Sequence, residues 1–147
     1  LTYLLNRIRK LHATKDVKLV LVDYLQLVNA SSKKGSREQE VSLIARSLKN
    51  ISKELGITVV ALSQLNRGVA MRTESRPTMA DLRESGEIEQ AADIVILVYR
   101  PEYYGITESE GSNTRGLAEI IFAKGRNIGV GKVNMKFIPN LTKFIDS

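Results

Sequence analysis

Apolar positions recur at three- and four-residue spacing between residues 2 and 14. Leu4, Leu5, Ile8 and Leu11 form one line, with Arg7, Arg9 and Lys10 beside them. That spacing predicts an amphipathic helix. The period then collapses. Val17-Lys18-Leu19-Val20-Leu21-Val22 is short, β-branched and almost continuously apolar before Asp23. Such a run predicts a strand buried on both faces of a parallel sheet. Residues 29–35 are small, polar and basic, and predict a loop; Lys33 and Lys34 read as a solvated face. Ser36 and Gln39 have the spacing of a capping box. Val41, Ile44, Ala45, Leu48, Ile51 and Leu55 then make one stripe, which Gly56 ends. Ile57 to Leu62 predicts a second buried strand. Residues 66–79 carry Gly and Pro without periodicity and predict a mobile loop. A short helix is expected over 79–91, a third strand over 93–99, and a loop over 101–115.

After residue 115 the texture changes. Val133, Met135 and Phe137 alternate with Asn134, Lys136 and Ile138, and Pro139-Asn140 marks a turn. Antiparallel strands are expected over 116–123, 131–138 and 141–145. The fold class is therefore α/β: a parallel sheet followed by an antiparallel β meander, in one domain over residues 1–147.

Composition removes some chemistry. The 147 residues include no cysteine and one histidine, so disulfides, thiolate sites and histidine-rich metal sites are excluded. His12, near the end of the first helix, is expected to be solvent-exposed. No apolar run approaches the length that spans a bilayer, and a soluble, cytoplasmic protein is expected. The net charge is +6, which favours polyanions. The charge is also segregated: Asp81, Glu84, Glu87, Glu89 and Asp93 crowd the middle, while Lys124, Arg126, Lys132 and Lys136 gather near the end.

In open α/β sheets ligands sit at the carboxyl ends of the strands. The polar residues expected there are Asp23 and Gln26, Ser63 and Gln64, and Arg100. An Asp closing an apolar strand suits Mg²⁺, which prefers hard oxygen ligands and keeps several waters. A neutral Gln near it can sense a terminal phosphate without adding negative charge.

The segments LVLVDYLQLV (19–28), VVALSQLNRGVAMR (59–72), ADLRESGEIEQAADIVILVYRPEYY (80–104) and AKGRNIGVG (123–131) strongly resemble the C-terminal RecA-like ATPase domain of DnaB-type replicative DNA helicases. The motifs stand in that family's order and run through most of the chain. The resemblance implies a RecA-like P-loop NTPase core. It also implies a role in ATP-driven unwinding of duplex DNA and translocation on single-stranded DNA within a hexameric ring. Primase and a helicase loader are the partners it implies, in a cytoplasmic replisome, with ATP and Mg²⁺ as cofactors.

Carried over residue by residue, Asp23 resembles the Walker B aspartate that holds Mg²⁺, through water. Gln64 matches the γ-phosphate-sensing glutamine. Arg83, Glu84 and Gly86 fall in the stretch that contacts single-stranded DNA by backbone readout. Lys124 and Arg126 match a Lys-x-Arg whose Arg reaches a neighbouring subunit's nucleotide as a finger. Each residue also has a plainer reading. Asp23 suits a strand-end turn, Gln64 a buried structural amide, residues 83–86 a solvated helix start, and Lys124 and Arg126 an ordinary basic hairpin. Tyr103 and Tyr104 suit base stacking or simple cover for a loop.

Two departures from the family pattern stand out. Where the Lys-x-Arg motif usually continues Asn-Gly-Pro, this chain has Asn127-Ile128-Gly129. No G-x-x-x-x-G-K-[ST] occurs; the single Gly-Lys pair is Gly131-Lys132, in the meander. The expectation is a C-terminal fragment of a helicase ATPase domain that hydrolyses no ATP alone. The alternative is a catalytically inactive RecA-like module that binds a partner or single-stranded DNA. A recombinase or circadian ATPase fits the 80–93 segment less well. In the family sheet the phosphate-loop strand lies between the strands expected at 57–62 and 93–99. Without it those strands pair directly, accept another copy, or sit among disordered loops; the sequence leaves these three open.

Overall fold

The structure is a computed structural model that describes residues 1–30, 36–72, 75–109 and 111–146, with the side chains of 67, 83–86 and 109 outside the description. Lys33 and Lys34 therefore lie outside the described residues. The chain divides into two compact units, Leu1–Gln64 with Leu82–Ala92, and Leu65–Asp81 with Asp93–Ser147.

The first unit contains α1 (Thr2–Lys15), β1 (Leu19–Val22), α2 (Arg37–Leu55), β2 (Thr58–Ala61) and α3 (Gly86–Ala91). Local chemistry sets the ends of α2. The Ser36 hydroxyl accepts from the Gln39 N–H, and the Gln39 side chain accepts from the Ser36 N–H, satisfying donors the first turn leaves orphaned. Glu38 and Glu40 in that turn suit the positive end of the helix dipole. At the other end Gly56 adopts φ +63°, a left-handed conformation glycine takes without a Cβ clash. Between the caps Val41, Ile44, Leu48 and Ile51 bury their side chains with Ile8, Val22, Leu25 and Ile57. Arg9 of α1 donates through Nε (2.7 Å) and Nη2 (2.8 Å) to the two oxygens of Glu54 on α2. That guanidinium holds the Glu54 carboxyl below the usual carboxylate range.

β1 and β2 pair in parallel, Leu19 opposite Thr58 and Val22 opposite Ala61, joined by the α2 crossover. The expected burial of both sheet faces is corrected here. Val20 and Val22 pack on the helices, but Leu21 is 70% exposed and Leu19 and Val60 are also open. A run without alternation reads as doubly covered, yet among the described residues only one face of this pair receives helices. His12 also departs from expectation. It is half-buried, and its Nδ1 donates to the Val17 carbonyl at 3.0 Å, tying the helix end to the approach to β1.

The second unit is built on antiparallel strands: β3 (Ile94–Tyr99), β4 (Glu108–Ser109), β5 (Ser112–Asn113), β6 (Leu117–Gly125), β7 (Gly131–Ile138) and β8 (Lys143–Asp146). The main sheet has the order β3-β6-β7-β8, and β4 and β5 form a small hairpin inside the expected 101–115 loop. β3 is thus not a member of the parallel pair. Of the three outcomes left open for the strands at 57–62 and 93–99, direct pairing does not occur: β2 pairs with β1 and β3 with β6. β3 buries Val95, Leu97 and Tyr99 while Ile94, Ile96 and Val98 stay open, so it too is covered on one face.

The expected mobile loop at 66–79 is also corrected. A 3-10 turn spans Arg67–Met71, and Val69, Ser75 and Asp81 are buried. The Asp81 carboxylate accepts from the Thr78 N–H (2.7 Å), the Thr78 hydroxyl (3.0 Å) and the Arg72 guanidinium. Burial pushes this carboxyl up, but the Thr78 and Arg72 bonds together outweigh it and leave it below its ordinary value. Arg76 pairs with the buried Glu119 at 2.6 Å, and Lys132 donates to the same carboxylate at 2.9 Å. Charges pin this segment, and a reading based on hydrophobic period is blind to that.

Candidate nucleotide site

The carboxyl ends of β1 and β2 lie side by side. The ladder continues past the strands: Leu62 N–H donates to Val22 O (2.9 Å) and Leu25 N–H to Leu62 O (2.9 Å). Asp23 sits within this crossing, exposed, and its peptide bond to Tyr24 is cis. Gln64 follows β2 by three residues and is also exposed. The structure therefore places both residues at one sheet edge with open side chains.

Gln26 organises this edge. Its Oε1 accepts from the Gln64 N–H at 3.3 Å, and its Nε2 donates to Ser63 Oγ (3.1 Å) and Gln64 O (3.4 Å). One amide side chain thus satisfies both backbone groups of Gln64, as a neighbouring strand would. The Gln26 carbonyl in turn accepts from Arg37 at the start of α2, and Arg37 pairs with Glu40. The sequence pointed to Gln26 as polar at a strand end. It did not show that this residue clamps the stretch carrying Gln64, because that contact spans 38 positions.

Asp23 offers one exposed set of hard oxygens, and no group of three His, Cys, Asp or Glu side chains suited to a metal exists among the described residues. A single carboxylate fits a hydrated Mg²⁺, which keeps most of its waters, and does not fit a dedicated protein cage.

Lys124 and Arg126 belong to the second unit. Register slips by one residue between Val95 and Ile96, leaving Ala123 extra on β6 beside the pair that carries Lys124. Such a bulge bends a strand and re-aims its next side chain. Lys124 is half-buried and Arg126 exposed just past the strand end. The loop beyond is tight, since a Cβ on Gly125 would lie 2.3 Å from Ile128 Cγ1. Ile128, where this chain departs from the family pattern, is thus seated directly on Gly125. Arg83, Glu84 and Gly86 fall where a 3-10 segment (Met79–Ser85) runs into α3. That matches the expected short helix, and their side chains lie outside the description. Tyr104 lies near Tyr99 (6.0 Å between centroids) and meets Tyr103 edge-on, so it covers its neighbours while Tyr103 stays exposed. Among the described residues no helix is long and apolar enough to cross a membrane.

A parallel β–α–β unit with an acid and an amide at its strand tips, followed by an antiparallel tail, defines the RecA-like class of ATPase folds. A solved structure described as a DnaB-like replicative helicase and its interactions with primase superposes with a TM-score of 0.86 at 38% identity, over 99% of this chain and 35% of that one. The family model described as DnaB-like helicase C terminal domain matches residues 1–146, and the chain belongs to that family. It is 48% identical over 139 residues to the replicative DNA helicase DnaC of Bacillus subtilis, covering 94% of this chain and 30% of that protein. It is 49% identical over 131 residues to a probable replicative DNA helicase of Trieres chinensis, covering 88% of this chain and 29% of that one. The chain thus spans about a third or less of the length of these curated relatives.

Proposed function

We propose that this chain serves as the sensor, finger and DNA-contacting part of a replicative helicase ATPase domain, in a hexameric ring that unwinds duplex DNA and moves on a single strand in the cytoplasm. The observation that carries the reading is the open pair Asp23 and Gln64 on adjoining strand tips, with Gln64 held through its backbone by Gln26. In this role Asp23 holds hydrated Mg²⁺, which neutralises charge on ATP phosphate oxygens when bound. Gln64 answers to the γ-phosphate. Arg126, with Lys124, reaches a neighbouring subunit's nucleotide, where a guanidinium stabilises charge growing on the transferred phosphoryl group. Arg83, Glu84 and Gly86 contact the phosphate backbone of single-stranded DNA. Primase and a loader are the protein partners.

A fingerless ring tests this. A family ring whose arginine finger is removed loses about 10³- to 10⁵-fold in turnover. The wild-type chain added to it is expected to restore ATPase, and Arg126→Ala to restore none. Equal rescue by both ends the assignment. The 147 residues by themselves, lacking the G-x-x-x-x-G-K-[ST] cradle, are expected to hydrolyse no ATP. Turnover by the purified chain that survives Asp23→Asn contradicts the scheme. The missing cradle motif also favours a second reading, an inactive module that binds single-stranded DNA or a ring neighbour. Single-strand binding without any rescue supports that one.

A further inference from the structure

We propose that Asp93 is a positioning residue for Arg126: it tethers the guanidinium on its own chain until a polyphosphate displaces it. Arg126 is held twice by the residue that precedes β3. Its backbone N–H donates to the Asp93 carbonyl at 2.9 Å, and its Nη1 approaches Asp93 Oδ1 at 3.2 Å. The first contact fixes where the side chain starts. The second turns the guanidinium back toward its own sheet. Gly125 and Ile128 close the loop tightly around this point, so the backbone of Arg126 has little room to carry the side chain elsewhere. The bulge at Ala123 lies just upstream, where the β6 ladder is re-registered against β3 before it reaches Asp93.

The chemistry of the pair makes it an exchangeable latch. A carboxylate and a phosphate oxygen compete for the same N–H donors of a guanidinium fork. Both side chains are about half exposed, 54% for Arg126 and 49% for Asp93. An exposed pair of this kind is weak and screened by salt. A triphosphate carries several charges on closely spaced oxygens and outcompetes a single carboxylate. The finger is therefore ordered when no phosphate is near, and it is released at little cost when one arrives.

This rests on reading Arg126 as directed at phosphate, but the tether is measured on the 147-residue chain alone, so the two ideas fail separately. The readout is rotation about the Arg126 Nε–Cζ bond, followed by nitrogen-detected NMR, with Arg126→Ala assigning the signals. In wild type at low salt the rotation is slow. Asp93→Asn speeds it, Asp93→Glu keeps it slow, and inorganic tripolyphosphate added to Asp93→Asn slows it again. Tripolyphosphate binds at Arg126 about two- to fivefold more tightly in Asp93→Asn than in wild type, the worth of one exposed pair. Should the variant fold poorly, wild type serves: raising salt to about 1 M, where screening acts within about 3 Å, speeds the rotation. Rotation equally fast in wild type and Asp93→Asn overturns the tether. So does tighter tripolyphosphate binding with unchanged rotation, which is the bare effect of removing a charge, and so does wild-type rotation indifferent to salt.

Discussion

The unit built on β1 and β2 and the unit built on β3 and β6–β8 solve burial in different ways. The first packs Ile8, Val22, Leu25, Val41, Ile44, Leu48, Ile51 and Ile57 against one another, and Ser42 is its one buried polar residue among those described. The second buries Asp81, Glu119, Ser75 and Thr114 alongside Val69, Val95, Leu97, Tyr99, Ala118 and Phe137. Apolar packing depends on shape and is insensitive to pH. Buried carboxylates depend on their donors and lose their worth when protonated. One region is thus held by volume and the other by charge, and perturbations that find one miss the other.

The largest expected effect separates them by volume. Ile44 is fully buried under β1, and Ile44→Ala leaves a cavity in the first unit. It is expected to cost about 2–5 kcal/mol in urea unfolding, equally at pH 5 and pH 8. A loss that varies with pH contradicts the division drawn here. Next is charge. Asp81→Ala strands the Thr78 donors and Arg72, and is expected to cost about 3 kcal/mol.

Asp81 also sets an acid limit. Its folded carboxyl titrates below its unfolded value, so its contribution is complete above about pH 4, the unfolded Asp range, and is lost as pH falls through the folded value. The melting temperature of wild type should drop over that acid range. Asp81→Asn should flatten part of the drop. An unchanged acid limb would mean that the charge of Asp81 is not what holds the 72–81 segment.

Smaller effects sharpen the picture. Ser36→Ala removes half of the capping box and is expected to lower stability by about 1 kcal/mol, read from the urea midpoint. Leu21→Lys, on the open face of β1, should change stability by no more than about 0.5 kcal/mol. Light scattering should show less self-association, because exposed apolar patches promote it. A large loss of stability from Leu21→Lys would show that this face is covered.

What the sequence revealed followed the range of the forces involved. Ser36, Gln39 and Gly56 act within a few residues, so the limits of α2 were legible. The apolar stripe of α2 was legible for the same reason. The cover on β1 was not, because a run of Val and Leu records side-chain type and says nothing of how many layers face it. The partner of β3 was misplaced because pairing with β6 is a long-range choice. Segment 66–79 read as mobile because Arg72, Arg76, Asp81 and Glu119 leave no periodic trace. At the candidate site the motifs marked Asp23, Gln64, Lys124 and Arg126. Gln26 and Asp93, which touch two of these, carry no local signal and emerge from folding alone.

The amide of Gln26 has a mechanical consequence. It joins the stretch carrying Gln64 to a turn whose carbonyl is gripped by Arg37, the first residue of α2. Any displacement of a bound molecule felt at Gln64 is relayed through two side chains to a nineteen-residue rod, with no peptide plane needing to flip. A nudge of an ångström at the rim becomes a tug on the longest helix described.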